Sequence, residues 1–117
     1  MLFRSIIIPS TVKVIGEGAF RSCSQLRNVE LNEGLEKIDA LAFVDCSSLE
    51  SIIIPSTVNV IGEEAFGRCS RLTNVELNEG LERIDIAAFG ECGSLERIRI
   101  PSTVKSTGQG EIGRAHV

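Results

Sequence analysis

The spacing of phenylalanine and cysteine constrains this chain more than any other feature of its sequence. Each residue type recurs every 23 residues, as Phe20, Phe43, Phe66 and Phe89 and as Cys23, Cys46, Cys69 and Cys92. This period divides the chain into units at 5–27, 28–50, 51–73 and 74–96, with a partial fifth at 97–110. A fixed period of this length predicts a solenoid, in which each coil buries its apolar edge against neighbouring coils.

The units are of two kinds that alternate along the chain. The first and third units are identical at 17 of 23 positions, and so are the second and fourth, whereas the first and second share only six. Odd units carry Ile-Pro-Ser-Thr-Val, and even units carry Asn-Glu-Gly in place of the Pro-Ser-Thr. The copied unit is therefore 46 residues long and contains two unlike coils.

The first part of each unit has the pattern of a strand that ends in a turn. In the third unit, Ile52 and Ile54 alternate with exposed positions, as in a strand with one buried face. Pro55 then ends the strand, because it has no N–H to donate. The even units use Asn-Glu-Gly for the same purpose, since these residues favour turns.

The second part of each unit predicts a further apolar pair and a short helix. Ile61, Ala65, Cys69 and Leu72 follow one another at spacings of four, four and three, which favours about two helical turns. The residues that precede the predicted helices are acceptable N-caps, namely Gly16, Asp39, Gly62, Asp85 and Gly108.

The repeating pattern, Leu-x-x-Ile-x-Ile-Pro followed by Ile-Gly-x-x-Ala-Phe-x-x-Cys-x-x-Leu, resembles the BspA-like leucine-rich repeat, also called the Treponema pallidum type. The resemblance covers residues 3–110. It implies an α/β solenoid, a curved right-handed array with parallel strands on one face and short helices on the other. It also implies adhesion and protein binding, often at a cell surface. That location rests on the resemblance alone, because residues 1–5 do not form a signal peptide.

The two ends of the chain depart from the repeat. Ile112 stands where the repeat has phenylalanine, and we interpret residues 111–117 as a non-native tail. Neither end has a polar capping coil, so we interpret residues 1–110 as a fragment of a longer array. We expect apolar side chains at both ends to be partly exposed, and the isolated chain to associate end to end. The residues concerned are Phe3, Ile6, Ile8, Ile98 and Ile100.

The charge balance argues against some classes of partner. The 12 basic and 16 acidic side chains are interspersed and give a net charge of −4, which disfavours nucleic acid and anionic membranes. No apolar run is long enough to insert into a bilayer. Tyr and Trp are absent, so aromatic platforms for bases or sugars are poorly supplied.

The residues that could perform chemistry have simpler structural interpretations. The four cysteines fall in one column, and we predict four buried free thiols rather than disulfides or a metal site, because no Cys-x-x-Cys is present. Asp39 and Asp85 are explained as N-caps, and His116 lies in the tail. Glu33, Glu36, Glu79 and Glu82 form a solvated edge, with calcium binding as the less favoured alternative. We therefore expect a protein without enzymatic activity or cofactors.

Two functions remain, recognition of a protein or glycan ligand and service as a passive spacer. Recognition is favoured because the outward positions of the predicted strands vary. Side chains alternate faces along a strand, so these positions should form a continuous strip across stacked coils. The predicted partner-binding strip consists of Ile7, Asn28, Glu30, Ile53, Asn74, Glu76, Arg97 and Arg99, and Ser5 and Ser51 lie beside it.

Overall fold

The structure is a computed structural model that describes residues 4–107. Its regular elements are short strands. They are β1 Ser5–Ile7, β2 Val14–Ile15, β3 Asn28–Glu30, β4 Lys37–Ile38, β5 Ser51–Ile53, β6 Val60–Ile61, β7 Asn74–Glu76, β8 Arg83–Ile84 and β9 Ser106–Thr107.

The strands form two parallel sheets. Sheet 1 has the order β1-β3-β5-β7, and sheet 2 has the order β2-β4-β6-β8-β9. Each pairing joins residues one repeat apart, such as Ser5 with Asn28 and Val14 with Lys37. Three turns of 23 residues therefore carry the chain from β1 to β7. The prediction of a solenoid with stacked parallel strands is confirmed, whereas sheet 2 lies where the sequence predicted only an apolar pair.

A single apolar core runs along the axis of the solenoid and contains the phenylalanine column. The rings of Phe20, Phe43, Phe66 and Phe89 stack with successive centroids 5.1, 5.2 and 5.3 Å apart and planes within 9° of parallel. Phe43, Phe66 and Phe89 are fully buried, and Phe20 is half-buried. The predicted column is confirmed.

The prediction of a short helix after each strand of sheet 2 is wrong, because turns occupy these positions throughout residues 4–107. Some backbone bonds are local, such as Ala65 N to Gly62 O at 3.1 Å, but others reach the next coil, such as Phe66 N to Ala88 O at 2.8 Å. Left-handed residues interrupt any helical run. They are Ser22, Leu41, Asp45, Glu64, Arg68, Ala87 and Glu91, with φ between 53° and 63°.

Because turns replace the predicted helices, the interpretation of the preceding residues as N-caps is wrong as well. Asp39 lies 3.2 Å from Lys37 Nζ, and Asp85 accepts a 2.8 Å hydrogen bond from Arg83 Nε. A Cβ on Gly62 would lie 2.6 Å from the backbone nitrogen of Ala40, so close packing between coils explains this glycine. Gly108 lies outside the described residues.

The turns that follow the strands of sheet 1 connect each even coil to the next odd coil. Thr57 Oγ1 accepts a bond from Gly34 N at 3.1 Å and donates one to Leu35 O at 2.6 Å. Thr103 repeats both contacts with Gly80 N and Leu81 O, at 3.0 and 2.7 Å. The Pro-Ser-Thr and Asn-Glu-Gly sequences are therefore two complementary halves of one contact.

The ends are better covered than the sequence predicted. Ile8 and Ile98 are buried, with 6% and 1% of their surface exposed, and Ile6 and Ile100 are half-buried. Phe3 and the proposed tail at 111–117 lie outside the described residues, and the right-handed course of the coils stays a prediction.

Candidate binding surface

All eight residues of the predicted strip are exposed on the outer side of sheet 1 and of the segment that follows β8. We call them the outer row. They are Ile7, Asn28, Glu30, Ile53, Asn74, Glu76, Arg97 and Arg99. Parallel pairing places Ile7 beside Glu30 and Ile53 beside Glu76, and the Asn28–Ser51 pairing joins these two pairs of strands.

Apolar and acidic side chains alternate along the outer row. Ile7 pairs with Glu30, and Ile53 pairs with Glu76, in the registers of β1 with β3 and of β5 with β7. Ile7 and Ile53 are 63% and 56% exposed, the two highest values among large apolar side chains of the described residues. A partner that spans several coils would contact both isoleucines, because they lie on the same face two coils apart.

Within the described part of the chain, the carboxylates of the outer row form no ion pair. The ion pairs formed among residues 4–107 join Lys37 to Asp39, Arg68 to Asp45 and Arg83 to Asp85, all outside the outer row. Glu76 and Arg99, which follow each other in the outer row, are not among the paired residues of this range. Glu30 and Glu76 therefore present uncompensated negative charge beside exposed isoleucine.

The outer row borders a groove between β3 and β5. The groove has a volume of about 300 Å³ and is lined by residues 28–31 and 51–53. A second, smaller groove of about 140 Å³ lies one 46-residue unit further along, lined by Leu77, Asn78, Glu79, Arg99 and Pro101. Neither groove was predicted from the sequence, although the alternation of two unlike coils indicates that alternate contacts between coils differ.

The four cysteines are buried and none of them is in a disulfide, as predicted. Cys46, Cys69 and Cys92 donate Sγ hydrogen bonds to phenylalanine carbonyl oxygens of the preceding coil, at 3.2, 3.3 and 3.1 Å. Burial raises the pKa of all four thiols, to about 12 for Cys46 and to about 11 for Cys92. A protonated thiol is a poor nucleophile and a poor metal ligand, so this column is structural.

The four glutamates of the predicted solvated edge, Glu33, Glu36, Glu79 and Glu82, are exposed, and two of them also contact the following coil. Glu33 accepts a hydrogen bond from Ser56 Oγ at 2.9 Å, and Glu79 accepts one from Ser102 Oγ at 2.7 Å. Within residues 4–107 there is no cluster of three or more His, Cys, Asp or Glu side chains placed to hold a metal ion. The same part of the chain contains no helix of a length and hydropathy that could cross a membrane.

The fold and its outer face define a class, the leucine-rich repeat solenoids. The family description "BspA type Leucine rich repeat region (6 copies)" matches residues 2–111. The chain therefore belongs to the BspA-type leucine-rich repeat family, as the sequence pattern indicated. A search of curated proteins gave no match.

Solved structures of bacterial leucine-rich repeat proteins are similar to this chain. The pneumococcal vaccine antigen PcpA is 33% identical to this chain, with a TM-score of 0.86. The matched region covers 96% of this chain and 28% of PcpA. A leucine rich cell surface protein from Faecalibacterium prausnitzii A2-165 is 26% identical with a TM-score of 0.69, covering 96% and 37%. The T. pallidum leucine rich repeat protein is 27% identical with a TM-score of 0.66, covering 90% and 60%. This chain thus spans between about a quarter and three fifths of these relatives.

Proposed function

We propose that this chain is a non-catalytic scaffold that binds a protein ligand, or less favourably a glycan, through the outer row of sheet 1. The observation that carries the proposal is the alternation of exposed Ile7 and Ile53 with unpaired Glu30 and Glu76. Exposed isoleucine costs solvation free energy unless a partner covers it, at about 25 cal/mol per Å² of apolar surface. In a passive spacer, the same isoleucines would serve only the strand propensity of β1 and β5.

We further propose that the chain is part of a longer, surface-exposed, adhesin-like protein whose coils follow a right-handed course. The similarity to a leucine rich cell surface protein of Faecalibacterium prausnitzii supports the location. The greater length of all three relatives supports the larger array. A right-handed crossover is the general rule for parallel strands within one sheet.

The binding proposal is tested by capture with a matched pair of variants. The immobilised chain is incubated with cell-surface protein extracts, and the retained proteins are crosslinked and identified by mass spectrometry. The double variant Ile53→Ser with Glu76→Lys alters the outer row, whereas Ile86→Ser with Glu63→Lys alters an exposed isoleucine and an exposed glutamate in the turns. We expect the first variant to lose a captured protein that the second retains, with unchanged circular dichroism in both.

The alternative is a passive spacer without a specific ligand. The regular interlocking of Thr57 with Gly34 and of Thr103 with Gly80 favours it, because such contacts stiffen an array whatever its outer face presents. Equal capture by the wild type and both double variants would assign the chain to this alternative.

A further inference from the structure

The two kinds of coil produce two kinds of strand pairing in sheet 1. β1 pairs with β3 at three positions, and β5 pairs with β7 at three positions. β3 pairs with β5 only at Asn28 and Ser51. The hydrogen bonds Ile8 N to Glu30 O and Ile54 N to Glu76 O extend the first two pairings, whereas Leu31 and Ile53 make no such bond within the described chain. The sheet therefore opens between an even coil and the odd coil that follows.

The opening between β3 and β5 combines apolar walls with one carboxylate. Leu31 and Ile53 line its sides, and Glu30 also lines it. Leu31 is half-buried, and Glu30 and Ile53 are exposed. Its volume of about 300 Å³ lies at the lower limit of small-molecule sites, which run from about 300 to 1,000 Å³. These dimensions suit one long side chain better than a cofactor.

We propose that this groove receives a lysine or arginine side chain of a protein partner. The proposal rests on the proposed function and names the chemistry that the outer row recognises. The aliphatic stem of the partner side chain lies against Leu31 and Ile53, and its cationic head meets the Glu30 carboxylate. Long basic side chains bury their methylenes along apolar surface while they keep their charge at a polar rim. The unpaired charge of Glu30 selects a cation and repels phosphate and carboxylate groups.

The second groove shows that a cationic side chain is accommodated beside a carboxylate on this face, although Asn78, Glu79 and Pro101 of the turns line it where the first groove has β3 and β5 residues. Arg99 occupies the position equivalent to Ile53 one 46-residue unit later, and it lines the smaller groove together with Leu77 and Glu79. The groove is reduced to about 140 Å³. An arginine is therefore accommodated at this position of the outer row, whereas isoleucine at the same position leaves the larger groove between β3 and β5.

The test uses three acetylated peptide probes of the same sequence that differ only at the central residue, which is lysine, norleucine or glutamate. Norleucine keeps the apolar stem without the charge. Binding to the full chain is followed by NMR of isoleucine methyl groups, with Ile53 as the reporter and Ile86, exposed elsewhere, as the internal control. We expect the lysine peptide to shift the Ile53 methyl signal and leave that of Ile86 unchanged.

Three chain variants separate the groove from general charge attraction. Glu30→Gln should weaken binding of the lysine peptide about fivefold, as for one partly exposed ion pair. Glu36→Gln removes an exposed charge beside sheet 2 and should leave binding unchanged. Ile53→Arg should abolish binding without a change in thermal unfolding, because the next unit accommodates arginine at the same position.

The outcomes that overturn the inference differ from those that overturn the proposed function. Stronger binding of the norleucine or glutamate peptide at Ile53 would contradict the choice of a cation and leave the outer row as a binding surface. The absence of a shift at Ile53 with every peptide would also overturn the inference, while the capture experiment would still decide the proposed function.

Discussion

The Sγ of Cys69 donates a hydrogen bond to the carbonyl oxygen of Phe43, across 3.3 Å. The two residues lie in successive coils, so the bond links the cysteine column to the phenylalanine column. Cys46 and Cys92 make the same contact with Phe20 and Phe66. The thiols are therefore part of the packing between coils, and their chemistry reports on the integrity of the stack.

The first prediction concerns thiol reactivity. We expect none of the four cysteines to react with Ellman's reagent within minutes at pH 8 in the folded chain, because all four are buried and their pKa values are raised. In denaturant, all four should react. A count below four in denaturant would reveal disulfides, and rapid labelling of the folded chain would contradict the buried column.

The second prediction concerns alkaline pH. Burial raises the pKa of Cys46 to about 12 and that of Cys92 to about 11. A cysteine in the unfolded chain has a pKa of about 8.5. The unfolded thiols therefore ionise first, so the stabilisation is complete below about pH 8.5 and declines as the pH rises toward the folded values. Urea unfolding between pH 7.5 and 10.5 measures this decline. Cys46→Ala should make the decline shallower, and an unchanged slope would contradict the assignment.

The third prediction concerns the phenylalanine column. Phe43→Ala should lower the free energy of unfolding by about 3–5 kcal/mol, as for other buried aromatic deletions, because its ring stacks on Phe20 and Phe66. Phe20→Ala is the matched control and should cost less, since Phe20 is only half-buried. Urea denaturation followed by circular dichroism provides both values. Equal costs for the two variants would argue against a core that closes over the inner coils.

The fourth prediction compares two glycines. Gly80 has a φ of 113°, and a Cβ there would collide with the carbonyl oxygen of Ser56. Gly80→Ala should therefore cost about 1–3 kcal/mol, the usual range for backbone strain. Gly93 has no heavy atom within 4 Å of an added Cβ, and Gly93→Ala should change stability by less than about 0.5 kcal/mol. A thermal melt that ranks the two variants in the opposite order would contradict the close contact at Gly80.

The fifth prediction concerns self-association of the 117-residue chain. β1 is an edge strand of sheet 1 within the described residues, and an exposed strand edge is a template for pairing with another chain. We expect sedimentation velocity to show concentration-dependent association end to end. Ile6→Lys introduces an inward-pointing charge at this edge and should give a monomer, whereas Ile53→Arg, away from the edge, should associate as the wild type does. A monomer at all concentrations would contradict the prediction of end-to-end association.

The positions that recur at 23 residues could be predicted from the sequence because a period fixes which residues stack. This is why Phe43, Cys69 and the outer row lie where they were expected. The helices could not be predicted correctly, because Ala65, Cys69 and Leu72 would have the same spacing in a helix or in a turn that packs against a neighbouring coil. The choice between helix and turn depends on Glu64 and Arg68. Both have left-handed φ values, and their N–H groups donate hydrogen bonds to the next coil. Single-sequence propensity disfavours that conformation for both residues.

The groove could not be predicted for a related reason. The period places Glu30 beside Ile53, but it does not show that β3 and β5 pair only at Asn28 and Ser51. That pairing depends on how an Asn-Glu-Gly turn packs against the Pro-Ser-Thr turn of the next coil. This packing is a property of two coils in contact, so the sequence of one coil alone does not predict it.

The threonine contacts of the turns also restrict how such an array changes its length. Thr57 needs Gly34 and Leu35 of an even coil, and Thr103 needs Gly80 and Leu81. Deletion of one coil would bring two like turns together and leave these donors and acceptors unmatched. Insertions and deletions that preserve the fold therefore come in pairs of coils. The array has a parity, and its open grooves can recur only at every second step along the axis.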